Sequence, residues 1–209
     1  MRKLLAALYS TLVYLLFLGT FVYAIGFVER IVVPKNIDTG ESGALAAVLV
    51  DLALLGVFAV QHSVMARQGF KRMWTRIVPE EAERSTYVLA SSAALALLLW
   101  QWRPWPQTVW SVGGVAAGVI TALSWLGWAL VLASTFLISH FHLFGVSQGF
   151  AQLLRRQIPE QQFTTPLFYR WMRHPLYAGF IIAFWAAPTM TVSPSRRNAT
   201  PSINPAASN

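Results

Sequence analysis

No cysteine occurs in the 209 residues, which excludes disulfides, thiolate metal sites and a cysteine nucleophile. Charge is scarce too: 11% of residues are charged, with 8 acids against 16 bases. So little charge beside 56% hydrophobic residues and a mean hydropathy of +0.51 excludes an ordinary soluble domain and defines a polytopic membrane protein with one compact domain. The net charge of +8 does not mark a nucleic-acid partner, because the basic residues fall between apolar runs instead of sharing one solvated face. Metal binding would have to rest on histidine and carboxylate. His140 and His142 point about 200° apart on a helix and have no acid near them in sequence, so no metal site is expected.

What is abundant is long apolar sequence. About five membrane spans are predicted, at Leu4–Val28, Ala44–Met65, Thr86–Trp102, Val109–Ser139 and Leu176–Thr191, giving an all-α transmembrane helix bundle. The first run follows Arg2 and Lys3 as a signal peptide's would, but it is too long for a cleaved leader and reads as a retained helix. The N-terminus and the second and fourth loops carry Arg2, Lys3, Arg67, Lys71, Arg72, Arg76, Arg84, Arg155, Arg156, Arg170 and Arg173. The other two loops hold only Arg30, Lys35 and Arg103. A positive-inside bias of this kind puts the N-terminus and both long loops in the cytoplasm, as in a bacterial inner membrane. Trp100, Trp102, Trp105 and Trp110 then form an interfacial belt on the opposite side.

Titratable side chains inside or beside the spans are the candidate site. Asp51, Leu55, Phe58 and His62 share one helical face, and a carboxylate within a span marks a functional position unless it is paired. His62, His140, His142 and His174 all fall at the same cytoplasmic depth and are the candidate proton acceptors. In the second loop, bases from Arg67 to Arg76 predict a surface helix ended by Pro79. Glu80, Glu81 and Glu83 then open the next helix, whose Glu83-Arg84-Ser85-Thr86-Tyr87 cluster can line a cytoplasmic pocket. Arg170 to Gly179 sets two arginines and a histidine before Pro175, a proline suited to a first helical position. The free N–H groups of such a helix start attract anions. Residues 192–209, rich in Pro, Ser and Asn, predict a disordered tail behind a membrane domain of residues 1–191. A small transporter or proton relay using Asp51 and His62 is one expectation these residues allow.

Five blocks in order carry a likeness: Gln61-His62-Ser63-Val64-Met65-Ala66-Arg67, Trp74-Thr75-Arg76, Glu83-Arg84-Ser85-Thr86-Tyr87-Val88, Trp100-Gln101-Trp102-Arg103-Pro104 and Arg173-His174-Pro175-Leu176-Tyr177-Ala178-Gly179. Together they resemble the nurim family, and within it the membrane methanethiol S-methyltransferases. The last block is also similar to isoprenylcysteine carboxyl methyltransferases and phospholipid N-methyltransferases. The resemblance implies S-adenosylmethionine as cofactor, with Arg173, His174, Pro175, Tyr177 and Gly179 in its site. It implies a small thiol as substrate and methylation of methanethiol to dimethyl sulfide at the cytoplasmic face. A thiol mostly protonated at neutral pH then calls for a neutral imidazole as base, for which His62, His140 and His142 are candidates. A non-catalytic nurim-like membrane protein is the alternative it leaves. In the resembled enzymes a further apolar helix and an acidic segment complete the cofactor site. Here the polar tail stands in that place and no glutamate follows Glu160, so the expectation is an aberrant, truncated or frameshifted C-terminus and an impaired site.

Overall fold

The computed structural model describes residues 2–40, 43–104, 108–151, 153–154 and 174–191. Arg173 and the tail from residue 192, both prominent in the sequence reading, lie outside these. Helix α1 runs Arg2–Glu29, α2 Ala44–Ala66, α3 Gln68–Trp74, α4 Glu80–Gln101, α5 Gly114–Ile138, α6 His140–Leu143, α7 Val146–Ala151 and α8 Pro175–Trp185. Two short strands, β1 Thr108–Ser111 and β2 Thr189–Thr191, pair antiparallel. The chain is therefore an integral membrane protein built as a helix bundle. Helices α1, α2 and α5 are each long and apolar enough to cross a bilayer.

Charge and proline set the helix boundaries. Arg67 adopts an extended conformation that separates α2 from the short α3. Pro79 caps α4, whose first turn holds Glu80, Glu81 and Glu83, acids that favour the positive end of the helix dipole. At the far end of α5, Ser139 takes the left-handed conformation (φ 99°), and the chain turns sharply into α6.

Three expected spans differ from the structure. The third, Thr86–Trp102, corresponds to α4, which is not among the described helices long and apolar enough to cross. The fourth begins at Gly114, because residues from Thr108 to Ser111 form β1. The fifth stops at Trp185. Its 11 residues reach about 16 Å, roughly half the hydrocarbon thickness, so α8 cannot span alone. Pro188 keeps the helix from resuming, and its carbonyl accepts the Val112 N–H at 2.8 Å, so β2 falls beside β1. Helix α4 is 22 residues long, with four charges crowded into its first five positions.

The helices pair α1 with α4, α2 with α4, α1 with α7, and α5 with α8. Val13, Tyr87 and Val88 form one apolar cluster, near the end of the bundle that carries the N-terminus. Ala24, Phe27, Leu98 and Leu99 form another at the opposite end. The α5–α8 crossing depends on two glycines. A Cβ on Gly127 would stand 2.6 Å from the Ala183 nitrogen, and one on Gly179 would stand 2.8 Å from Val131 Cγ2. Close approach of backbones through small residues is the way membrane helices gain contact without a hydrophobic driving force.

Candidate functional site

At the end of the bundle that carries the N-terminus, α2, α4 and the α6–α7 segment converge on Tyr87. Its hydroxyl lies 2.9 Å from His62 Nε2 and 3.1 Å from Nδ1. The imidazole stacks on Phe58 one turn earlier, at 5.5 Å between ring centres. Its other polar neighbour, the Ser91 hydroxyl, stays 3.3 Å from Nδ1. With Nε2–H donating to the Tyr87 oxygen, Nδ1 carries the lone pair of the neutral ring, and its nearest hydroxyls are those of Tyr87 at 3.1 Å and Ser91 at 3.3 Å. Arg84 lies over the Tyr87 ring with its guanidinium carbon 5.4 Å from the centre, and its Nε donates to the Leu143 carbonyl at 2.7 Å. Tyr177 of α8 is within electrostatic reach of Tyr87. Thus the start of α8 and the His62–Tyr87 pair belong to one region.

The four histidines meet different fates. His140 is buried, and both its nitrogens are taken, Nε2 by the Tyr14 hydroxyl at 2.9 Å and Nδ1 by Thr135 Oγ1 at 2.8 Å. It stacks on Phe136 at 4.3 Å. In this arrangement it offers no nitrogen to a substrate and locks α1 against the end of α5. Burial pushes its titration below the usual histidine value. Because the folded ring holds its proton less firmly than the unfolded one, its contribution is fully present above about pH 6.5 and is lost as pH falls through the folded value. The melting temperature in detergent is expected to drop between about pH 7 and about pH 5.5, and His140→Phe to flatten that profile.

His142 accepts from the Gln148 side-chain amide at 3.1 Å through Nδ1, so the proton of the neutral ring sits on Nε2 and the ring presents a donor. Burial, then the nearby Arg84 charge, keeps it neutral by lowering its titration. His174 caps α8, exposed, with its ring 5.6 Å from that of Tyr177. Pro175 is the buried first helical residue, and Tyr177 is 64% exposed. Gly179 is turned into the α5 crossing.

Asp51 has a partner. It is buried at the opposite end of the bundle, where its Oδ1 accepts the Arg103 backbone N–H at 3.0 Å. Eleven residues along a helix separate it from His62 by about 16 Å, so no carboxylate–imidazole pair forms. Asp51→Ala should lower stability by about 1 kcal/mol through the lost Arg103 N–H bond and leave turnover unchanged; thermal melts and turnover of the same variant check both. A cavity of about 530 Å³ also lies at this opposite end, between α1 and α4, and Lys35 and Trp100 are among its walls. It has no part in the histidine cluster.

Sequence reasoning did not single out Tyr87 or Arg84 within their cluster, and it passed over Glu29. The Glu29 Oε1 accepts from Ser124 Oγ at 2.6 Å and from Trp128 Nε1 at 2.7 Å. The only signal for it was an acid closing a long apolar run. Among the described residues no group of three or more His, Asp or Glu could hold a metal ion.

Comparison with known proteins fits this geometry. The sequence model described as NnrU protein matches residues 50–197. A methanethiol S-methyltransferase of Mycobacterium tuberculosis is 54% identical over 193 residues, covering 91% of this chain and 79% of that protein. Methanethiol S-methyltransferase 2 of Bradyrhizobium diazoefficiens is 50% identical over 190 residues, covering 90% and 73%. The nurim of Danio rerio is 26% identical over 166 residues, covering 75% and 60%. No solved structure matches. A membrane helix bundle with relatives of this kind defines the class as membrane-embedded methyltransferases. Within that class the chain belongs to the NnrU protein family.

Proposed function

We propose that the chain methylates methanethiol to dimethyl sulfide, using S-adenosylmethionine at the cytoplasmic face of the membrane. The observation that carries this is the 54% identity, over 91% of the chain, to a protein named methanethiol S-methyltransferase. The sidedness follows from the basic residues that flank the site, and the donor is a cytosolic molecule.

The donor set fits such a cofactor. The N–H groups at the start of α8, which have no side-chain cap among the described residues, suit a carboxylate, and His174 and Tyr177 offer ring faces to a purine or a sulfonium. Gln61 Oε1 and Gln148 Oε1 are buried acceptors with no hydrogen-bond partner among the described residues, and they suit amino groups. His174, Pro175 and Tyr177 would hold the cofactor together with Arg173, the neighbour of His174 in the chain, while Gly179 sets the helix that presents them. When bound, S-adenosylmethionine supplies an electrophilic methyl group.

The chain's own residues serve the nucleophile. A small thiol is mostly protonated at neutral pH, and His62 takes its proton at the nitrogen that Ser91 holds only loosely. Tyr87 orients the imidazole through its hydroxyl, and Arg84 holds the Tyr87 ring. His62 is exposed on a helix whose surface faces the bilayer, so a small apolar thiol can reach it from the membrane. Alignment and exclusion of water do the remaining work of an in-line displacement.

The test is the purified full chain in lipid nanodiscs with methanethiol and S-adenosylmethionine, with headspace gas chromatography of the product. Dimethyl sulfide forming in step with S-adenosylhomocysteine is the expected result. Turnover with an isoprenylated cysteine or a lipid amine, and none with methanethiol, would overturn the substrate assignment.

A further inference from the structure

Glu29 closes α1 with a carboxylate at the negative end of the helix dipole, and α1 has no basic residue in its last turn. Such a position is unfavourable unless other groups hold the side chain. Here α5 holds it, through two donors one turn apart: the Ser124 hydroxyl at 2.6 Å and the Trp128 indole N–H at 2.7 Å. Both donors are almost fully buried, with 2% and 4% exposure. Ser124 Oγ is also 2.8 Å from the carbonyl of Ala183 in α8. A hydroxyl has one proton for these two acceptors, so the share that Glu29 takes is withheld from the Ala183 carbonyl, and the carboxylate sets how tightly Ser124 holds α8.

We propose that Glu29 is a positioning residue for α8 that acts through Ser124. The helix is too short to be held by the bilayer and packs along α5, where Trp128 also meets Phe180 and Phe184. Within that packing the Gly127–Gly179 crossing serves as a pivot, and the Ser124–Ala183 contact lies one turn further along. Six residues, about 9 Å of rigid helix, separate Ala183 from Tyr177. Removing Glu29 hands the whole proton to Ala183, so this Ser124–Ala183 latch tightens and the end of α8 that carries His174 and Tyr177 tilts about the pivot. The mechanism makes no use of Glu29, and none of its contacts lies at the histidine end.

This inference rests on the reading that the start of α8 receives the methyl donor, so its test separates the two. The chain has no cysteine, so Leu8→Cys with Ile181→Cys allows two spin labels, on exposed positions of α1 and α8. The distance between the labels, measured by electron paramagnetic resonance, is expected to shift in Glu29→Ala. It should return to the parent distribution in Glu29→Gln, whose amide oxygen still accepts both donors. Ser124→Ala, which removes the donor from Ala183, should shift the distribution in the opposite sense. In turnover assays of the label-free variants, Glu29→Ala should raise KM for S-adenosylmethionine about tenfold with kcat changed less than threefold, and Glu29→Gln should stay within twofold of the parent. An unchanged distance distribution in Glu29→Ala would overturn the proposal, whatever the activity. So would failure of Glu29→Gln to restore it, since the negative charge and not the acceptor would then matter. A shifted distance with an unaltered KM would leave the latch in place and remove the donor from α8.

Discussion

His62→Ala, assayed with methanethiol at neutral pH, is expected to turn over about 10²–10⁴-fold more slowly than the parent chain. The expectation follows from the state of the nucleophile. At neutral pH only a small fraction of a thiol is ionised, and the base that removes its proton must be neutral, oriented and accessible. Among the described residues His62 is the histidine that combines exposure with the Tyr87 hydroxyl, which holds the ring at Nε2, and an Nδ1 whose hydroxyl neighbours stand at 3.1 and 3.3 Å. His140 has both nitrogens occupied, and His142 is committed to Gln148. The sign of the pH dependence follows. As pH rises and the thiol ionises in solution, the missing base matters less, so the deficit of His62→Ala narrows towards alkaline pH. A deficit of constant size from about pH 6 to about pH 9 would mean that His62 holds the site's shape and moves no proton. Tyr87→Phe, which keeps the ring and removes the orienting hydroxyl, should lose about tenfold, a smaller effect than loss of the base itself.

Gly127→Ala is expected to damage the α5–α8 crossing severely. Its Cβ would stand 2.6 Å from the Ala183 nitrogen and 2.8 Å from the Gly179 oxygen, both of them backbone atoms of α8 that no rotamer change can move. Overpacking of this kind costs about 1–3 kcal/mol, and relief comes only by shifting the whole short helix. The variant should melt at a lower temperature and lose binding of S-adenosylmethionine, although residue 127 is remote from the proposed cofactor groups. A thiol introduced as Ala183→Cys gives a direct readout. It should be inert to maleimide in the parent background, where Ala183 is 1% exposed, and reactive when Gly127→Ala is added. Equal protection in both backgrounds would show that α5 and α8 can part without losing their contact.

The first two spans were legible almost to the residue, Leu4–Val28 against Arg2–Glu29 and Ala44–Met65 against Ala44–Ala66, because charge or glycine bounds each apolar run. The Arg, His and Pro spacing before α8 also announced its start at Pro175. Its end was hidden. Hydropathy rises equally for a buried helix and for a pair of short strands, and Thr108–Ser111 meets Thr189–Thr191 only through backbone pairing. The site was half legible. The depth of the histidines follows from the spans, but which nitrogen is free follows from partners on other helices. Tyr14 lies 126 residues from His140, and Tyr87 lies 25 from His62. Asp51 read as a functional acid because a carboxylate in a span is expensive; the backbone N–H of Arg103 that satisfies it has no sequence signature. Glu29 was invisible for the same reason, with partners 95 and 99 residues away.

The pairing of β1 with β2 also dictates an order of events during synthesis. Chains emerge N-terminus first, so α1, α2 and α4 can find one another while later segments are still being made. β1 has to wait with open hydrogen-bonding groups until residues 189–191 arrive, and so must the Trp110 indole, which donates to the Ala187 carbonyl at 2.9 Å. Helix α8, too short to be inserted as a span in its own right, enters by docking on an α5 already in the membrane. A ribosome that stalls anywhere before β2 therefore leaves a bundle whose α1–α4 packing is complete and whose α5 still shows a bare glycine face to the lipid.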